Sequence, residues 1–271
     1  MTQTTAPTLD RAEIDSITRT AHLLADAARV ETLRLFRSPD LRPDNKLSDG
    51  FDPVTEADRA SERAMRAILA RERPQDAILG EEYGSQAGSS GLTWVLDPID
   101  GTRAFMSGAP SWGVLIGVND ASGPIYGIID QPYLDERFEG GFGLARVLGR
   151  GRDLPLAVRR DVPLAQATLM STYPEVGSPE ESRAFGKVAA QARLTRYGLD
   201  CYAYALLAAG QIDLVIEAGL QSYDVAGPIA VVRAAGGVVT DWTGGPAHEG
   251  GRIIAAASPE LHAEALRLLG S

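Results

Sequence analysis

The sequence predicts a mixed α/β fold built in layers, and three observations carry that prediction. A long amphipathic segment opens the chain, where Ile14, Ile17, Leu24, Ala27 and Leu35 recur at helical spacing and share one apolar stripe. Most of the remaining first half is cut into short apolar runs between Gly, Pro and Asp, the pattern of strands. From Ala167 onward, helical and strand-like stretches alternate, as in a layered α/β half.

Taken in order, Leu9 to Phe36 reads as one helix, followed by a loop from Ser38 to Pro53. Thr55 begins a second helix, with Thr55-Glu56-Ala57-Asp58 resembling a capping box, and that helix ends before Pro74. Ala77 to Leu79 is a strand feeding Glu81-Glu82, Ser85 to Gly91 a turn, and Leu92 to Leu96 a strand that stops at Asp97-Pro98. Trp112 to Val118 and Pro124 to Asp130 form an antiparallel pair around Gly123, and shorter strands run on to Val158.

In the second half, Ala167 to Ser171 is a strand, Pro179 to Ala192 a helix and Arg196-Tyr197 a short strand. Tyr202 to Ala209 is helical, Ile212 to Glu217 a buried strand, and Val225 to Ala235 a helix stopped by Gly236-Gly237. Val238 to Thr240 is a strand, and Ser258-Pro259-Glu260 starts the last helix. Gly149 and Gly151 mark a lobe boundary near residues 146–157. This gives an N-terminal lobe of residues 1–150, with the metal and catalytic motifs, and a C-terminal lobe of 151–271.

With 271 residues, 44% of them apolar and 23% charged, the chain can bury a large core. Its formal charge of -10 and the lack of a basic run longer than Arg159-Arg160 argue against a nucleic-acid binder. Cys201 is the only cysteine, so neither an internal disulfide nor a thiolate zinc site can form within one chain. The polar stretch Met1 to Asp10 lacks a signal peptide's apolar core, and no run approaches the ~20 apolar residues of a membrane span. The expectation is a soluble cytoplasmic protein.

The strongest chemical signal is Asp97-Pro98-Ile99-Asp100-Gly101-Thr102, directly after an apolar strand. Two carboxylates three residues apart at a strand end can aim both side chains and the Ile99 carbonyl into one space. Magnesium takes such hard oxygen ligands, completed by water. Gly101 allows close backbone approach, and if Thr102 starts a helical turn, the amides of both residues can hold a phosphate. Glu81-Glu82 ends the preceding strand, Asp224 opens a later helix, and Asp52 and Asp58 flank the start of the second helix. Each of these single acids has a plainer reading as a cap or turn former.

These residues resemble the inositol monophosphatase family of metal-dependent phosphatases, nearly end to end. The match runs through Asp52-Pro53-Val54-Thr55-Glu56-Ala57-Asp58, Gly80-Glu81-Glu82, Asp97 to Thr102, Tyr223-Asp224-Val225-Ala226-Gly227 and Ala234-Ala235-Gly236-Gly237. The resemblance implies an αβαβα sandwich of the inositol monophosphatase and fructose-1,6-bisphosphatase type, a homodimer, and two or three magnesium ions per subunit. It implies that Glu81, Asp97 and the Ile99 carbonyl hold one ion, that Asp97, Asp100 and Asp224 hold a second, and that a third lies near Glu81. Thr102 with Asp58 would orient and deprotonate the attacking water, with Glu82 joining them as a catalytic residue, and Gly101, Thr102, Arg103 and Asp224 would meet the substrate. Tyr223 stands where many members have Trp, and Lys46 is available where a lysine often precedes the early Asp-Pro.

Within the family, Gly101-Thr102-Arg103-Ala104-Phe105, Gly80-Glu81-Glu82-Tyr83-Gly84 and Asp200-Cys201-Tyr202-Ala203-Tyr204-Ala205 resemble the histidinol-phosphatase branch, as does Glu217-Ala218-Gly219-Leu220. Asp200 and Glu217 fall at family positions that face the alcohol part of the substrate. Histidinol phosphate has an amine and an imidazole, both able to carry positive charge. The expected partner is therefore a small phosphate monoester, histidinol phosphate first. An inositol or other small-molecule phosphate is the alternative, and a catalytically silent regulator the reading from another class. Arg103 could touch phosphate or only pair with an acid, and Lys46 could serve the phosphate or only a solvated loop. His22, His248 and His262 lack metal-triad spacing, Trp94 and Trp112 read as core or interface residues, and Cys201 as a buried thiol.

Overall fold

In the computed structural model, residues 9–45 and 53–271 are described. Lys46 and Asp52, both singled out above, lie outside the described residues. Asp10 accepts a hydrogen bond from the Glu13 amide and caps helix α1 (Arg11–Leu35). Of the expected stripe, Ile17, Leu24 and Leu35 are buried and are joined by Ala21 and Ala28, whereas Ile14 and Ala27 are only half-buried. The expected loop carries two short paired strands, β1 (Pro43–Asn45) and β2 (Pro53–Thr55). Helix α2 (Glu56–Glu72) begins at Thr55 with the expected capping box to Asp58.

Eight strands form the first sheet: β3 (Ala77–Gly80), β4 (Gly84–Gln86), β5 (Thr93–Asp100), β6 (Gly113–Asp120), β7 (Gly123–Gln131), β8 (Glu136–Gly141), β9 (Leu144–Gly149) and β10 (Arg152–Pro155), in the order β10-β9-β8-β7-β6-β5-β3-β4. Only β3 and β5 pair in parallel. Two strand boundaries differ from expectation. Part of the Ser85–Gly91 turn is the edge strand β4, and β5 does not stop at Asp97 but continues through Asp100. Its pairing with β6 steps from Asp97 opposite Leu115 to Asp100 opposite Gly113. One extra residue is thus inserted, a bulge that re-aims the side chains around it. Helix α3 (Thr102–Ser107) follows at once.

The chain leaves the first sheet at Pro155 and enters the second at Thr168. In chain order the second half holds β11 (Thr168–Ser171), α4 (Pro179–Ala189), β12 (Leu194–Tyr197), α5 (Tyr202–Ala208), β13 (Leu214–Leu220), α6 (Ser222–Ala234), β14 (Val238–Asp241), β15 (Gly251–Ala256) and α7 (Pro259–Leu269). The sheet order is β12-β11-β13-β15-β14. Strand β15, paired between β13 and β14 in the second half's sheet, has no counterpart in the sequence reading. Ile253, Ile254, Ala255 and Ala256 are all fully buried, so the run shows no alternation, and its alanines carry little strand preference.

Five layers result, the αβαβα sandwich expected. One core lies between α1, α2 and the outer face of the first sheet. A second joins the two sheets through α5 and α6, and a third seats α4 and α7 on the far face of the second sheet. Helix α6 approaches the first sheet along a row of glycines. Gly117, Gly127 and Gly140 are register neighbours on β6, β7 and β8. A Cβ at Gly117 would stand 2.6 Å from the Ala226 Cβ, and one at Gly127 2.4 Å from the Gly227 carbonyl oxygen. The missing side chains let α6 sink onto the sheet, which carries Asp224 to the end of β5. No helix among the described residues is long and apolar enough to cross a membrane.

Candidate active site

The bulge in β5, the turn after β3 and the first turn of α6 meet at one point. Asp97, Asp100 and Asp224 each offer a carboxylate oxygen, and these oxygens lie within 4.8 Å of one another. The bulge is held locally, because Asp97 Oδ1 accepts the Ile99 amide at 3.0 Å. Asp100 Oδ2 accepts the Cys201 amide at 2.6 Å. In α6, Asp224 Oδ2 accepts the Gln221 amide at 2.7 Å and so caps its own helix.

Burial first, and then the crowding of like charges, sets the electrostatics. Burial, with the charges of Glu81, Asp100 and Asp224, raises the Asp97 carboxyl well above the usual range. Burial and the charges of Asp200 and Asp224 do the same to Asp100. Asp224 is pushed to about 7, by burial first and by Glu81 among the charges. Such a donor set fits a hard divalent cation, since only oxygen ligands converge and a cation relieves their mutual repulsion. Glu81 borders the same space, and Thr102, which also lines it, donates its hydroxyl to the Ile99 carbonyl at 3.2 Å.

Asp58 stands beside this cluster on the first turn of α2. Its Oδ2 accepts both the Thr55 amide at 2.8 Å and the Thr55 hydroxyl at 2.6 Å. Its Oδ1 is buried without a hydrogen-bond partner. Burial raises its pKa to about 7, helped by the charges of Glu81 and Glu82. The Thr102 hydroxyl therefore engages the Ile99 carbonyl and not Asp58, while Glu81 and Glu82 are electrostatic neighbours of Asp58.

A cleft of about 390 Å³ opens from the carboxylates. Six acids line it: Glu81, Asp100, Glu175, Asp200, Glu217 and Asp224. Arg103 is the one basic side chain among the described lining residues. It donates to the Tyr173 hydroxyl at 3.0 Å and lies over that ring. Glu217 is buried and fixed: it accepts from the Thr172 amide at 2.9 Å, from the Thr172 hydroxyl and from the Tyr204 hydroxyl at 3.0 Å. Burial raises its pKa.

Asp200 accepts from the Ser111 hydroxyl at 2.9 Å and packs on Gly101. Gly101 has φ 84°, and a Cβ there would stand 2.7 Å from Asp200 Cγ. Gly101→Ala is expected to lower stability by about 1–2 kcal/mol from the left-handed backbone alone. It should also displace Asp200, so thermal unfolding and turnover fall together; a variant with both unchanged would contradict this packing.

Sequence reasoning missed Thr172, Tyr204, Ser111 and Glu175. Ser111, Thr172 and Glu175 lie in turns and loops with no motif of their own, and Tyr204, though inside the Asp200–Ala205 motif, has its partner Glu217 brought to it only by the fold. Cys201 is buried behind Asp100, as expected of an inert thiol. The three histidines take no part in the carboxylate cluster.

Comparison with known proteins gives the family and the fold. The model of the inositol monophosphatase family matches residues 13–271. A chloroplastic bifunctional phosphatase of Arabidopsis thaliana, IMPL2, is 39% identical, covering 96% of this chain and 77% of that protein. A histidinol-phosphatase of Streptomyces coelicolor is 35% identical, covering 93% of this chain and 96% of that one. The solved structure of an inositol monophosphatase from Zymomonas mobilis superposes with a TM-score of 0.83 at 40% identity, covering 97% of this chain and all of that one.

Proposed function

The chain belongs to the inositol monophosphatase family of phosphate-monoester hydrolases, and we propose that it is a magnesium-dependent histidinol-phosphatase. The observation that carries this reading is the balance of charge in the cleft, six carboxylates against Arg103. A phosphate dianion enters such a cleft only when cations neutralise the acids at its floor. Asp200 and Glu217 then remain to receive the alcohol, and two anions suit an amine and an imidazole that can be cationic. The likeness to the Streptomyces histidinol-phosphatase supports the same choice.

Glu81, Asp97, Asp100, Asp224 and the Ile99 carbonyl would hold the ions, two or three per subunit. When bound, magnesium supplies neutralisation of the transferring phosphoryl group and a water of lowered pKa. The chain's own groups do the rest. Asp58 presents its unpartnered Oδ1 and, with a pKa near neutrality, suits a general base for the attacking water. Glu82 bears on Asp58 through its charge. Thr102 steadies the Ile99 carbonyl, and the amides of Gly101 and Thr102 start a helix where a phosphate can dock. Glu217, locked by Thr172 and Tyr204, orients the leaving alcohol. The active species is a homodimer.

Phosphate release with magnesium, on histidinol phosphate, inositol 1-phosphate, fructose 1,6-bisphosphate and a nucleotide 3'-phosphate, tests the reading. The expected result is chelator-sensitive release at least about tenfold faster, in kcat/KM, from histidinol phosphate. A preference for inositol 1-phosphate would keep the metal site and replace the substrate. The likeness to the Zymomonas inositol monophosphatase, and the ability of Glu217 to accept from a polyol, make that the second reading.

A further inference from the structure

Asp58, Glu62 and Arg66 follow one another at intervals of four on α2 and so share one face of the helix. Asp58 is at the site; the next two reach the turn that carries Glu81 and Glu82. Glu62 is fully buried. Its Oε2 accepts the Glu82 amide at 2.7 Å and its Oε1 the Tyr83 amide at 3.2 Å. Arg66 donates Nε to the same Oε1 at 2.7 Å and Nη2 to the Gly84 carbonyl. On the other side, the Glu81 amide donates to the Leu96 carbonyl at 3.2 Å, one residue before Asp97. The two peptide groups that flank the Glu81 side chain are therefore each held, one by Leu96 and the other by Glu62.

The same contact explains the glycine in Gly80-Glu81-Glu82. A Cβ at position 80 would stand 2.0 Å from Glu62 Oε1 and 2.9 Å from Arg66 Nη2. Only glycine lets the chain close over the buried carboxylate. An ionised carboxylate accepts two amides at once, whereas a neutral amide side chain has one oxygen and a competing donor. A buried anion next to a cluster of acids is electrostatically unfavourable, and here Arg66 and the two amides compensate it.

We propose that Glu62 is a positioning residue for Glu81, with Arg66 as its counter-ion, so that α2 sets the metal-facing geometry of the Gly80–Gly84 turn. This rests on the metal reading above. Groups that orient a ligand from behind change metal affinity about 10- to 100-fold when altered.

The test is binding of Mn²⁺ to the substrate-free chain, followed by the electron paramagnetic resonance signal of the free ion. Glu62→Gln is expected to weaken Mn²⁺ binding at least about tenfold and to speed hydrogen exchange at the Glu82 amide. The control is Asp213→Asn, which breaks a comparable buried grip on Arg159 and the Thr168 amide in the second sheet. It should lose stability and keep Mn²⁺ affinity within about twofold, since independent sites act separately. If Glu62→Gln does not fold, Arg66→Lys decides, with a several-fold weakening expected and an unchanged affinity contradicting the role. A Glu62→Gln chain that binds Mn²⁺ as the parent does overturns the positioning role alone. A parent chain that binds no Mn²⁺ overturns the metal reading and this inference together.

Discussion

Asp97→Asn should abolish chelator-sensitive phosphate release, by at least about 10³-fold, or roughly 4 kcal/mol of transition-state stabilisation. The same change should make the metal-free protein more stable. Asn can still accept the Ile99 amide that Asp97 Oδ1 accepts at 3.0 Å, so the bulge keeps its turn. What disappears is a buried charge facing Glu81, Asp100 and Asp224. The folded-state pKa of Asp97 lies above its unfolded value of 3.8, so protonation favours the fold. That stability is present below pH 3.8 and is lost as pH rises through the raised value. The parent therefore bears more of this cost as pH rises, and the variant, with no charge to bury, is relieved of it. Thermal unfolding in chelator at pH 5 and pH 8 reads this directly, with the gap between parent and variant widening at the higher pH. Added magnesium should then stabilise the parent and leave the variant unmoved. Retained turnover, or a variant less stable than the metal-free parent at pH 8, would refute the assignment of Asp97.

That combination of lost activity and gained stability also explains which parts of the site were legible in the sequence. Asp97 and Asp100 stand out because a strand of apolar residues ends in two charges, and no plain structural need explains them. Asp58 and Asp224 were ambiguous for a physical reason: both do cap their helices. Asp58 Oδ2 holds the Thr55 amide and Asp224 Oδ2 the Gln221 amide. The cap is what locks the side chain, and at Asp58 the second oxygen is left over for chemistry. Motif reading treats cap and catalyst as rivals, whereas one carboxylate can serve as both.

The layered fold was legible from helix α1 and from the change of rhythm at Ala167, because an amphipathic stripe shows up as spacing. Strand β15 was not, because burial on both faces erases alternation. Glu62 was invisible for the opposite reason: a glutamate four residues before an arginine looks like a solvated helix pair. Its partners, the amides of Glu82 and Tyr83, are brought to it only by the fold. Contacts of that kind cross from helix to loop and carry no local pattern.

Glu139→Gln should lower stability at pH 7 by about 3 kcal/mol while leaving Mn²⁺ affinity unchanged. Glu139 is buried in β8 beneath α1 and far in sequence from every metal-facing acid. Its Oε2 meets His22 Nε2 at 3.0 Å and takes the Tyr126 hydroxyl, and its Oε1 accepts Arg146 Nε at 2.5 Å. Arg137 can only donate to His22 Nδ1, at 3.0 Å, so the ring proton sits on Nε2 and points at Glu139. Burial alone would raise the Glu139 pKa, but the hydrogen bonds from His22, Tyr126 and Arg146 hold it at about 2, against 4.5 unfolded. That displacement corresponds to about 3 kcal/mol. Because the folded value is the lower one, the stabilisation is present above pH 4.5 and is lost as pH falls through 4.5 toward 2. The parent and variant melting curves should therefore lie about 6–12 °C apart at pH 7 and converge as pH falls toward 2. A separation that persists at pH 2.5 undiminished would mean that the loss comes from packing of the amide and not from the ionised carboxylate. A loss of Mn²⁺ affinity would mean that the network under α1 reaches the site, against the independence expected of separate cores.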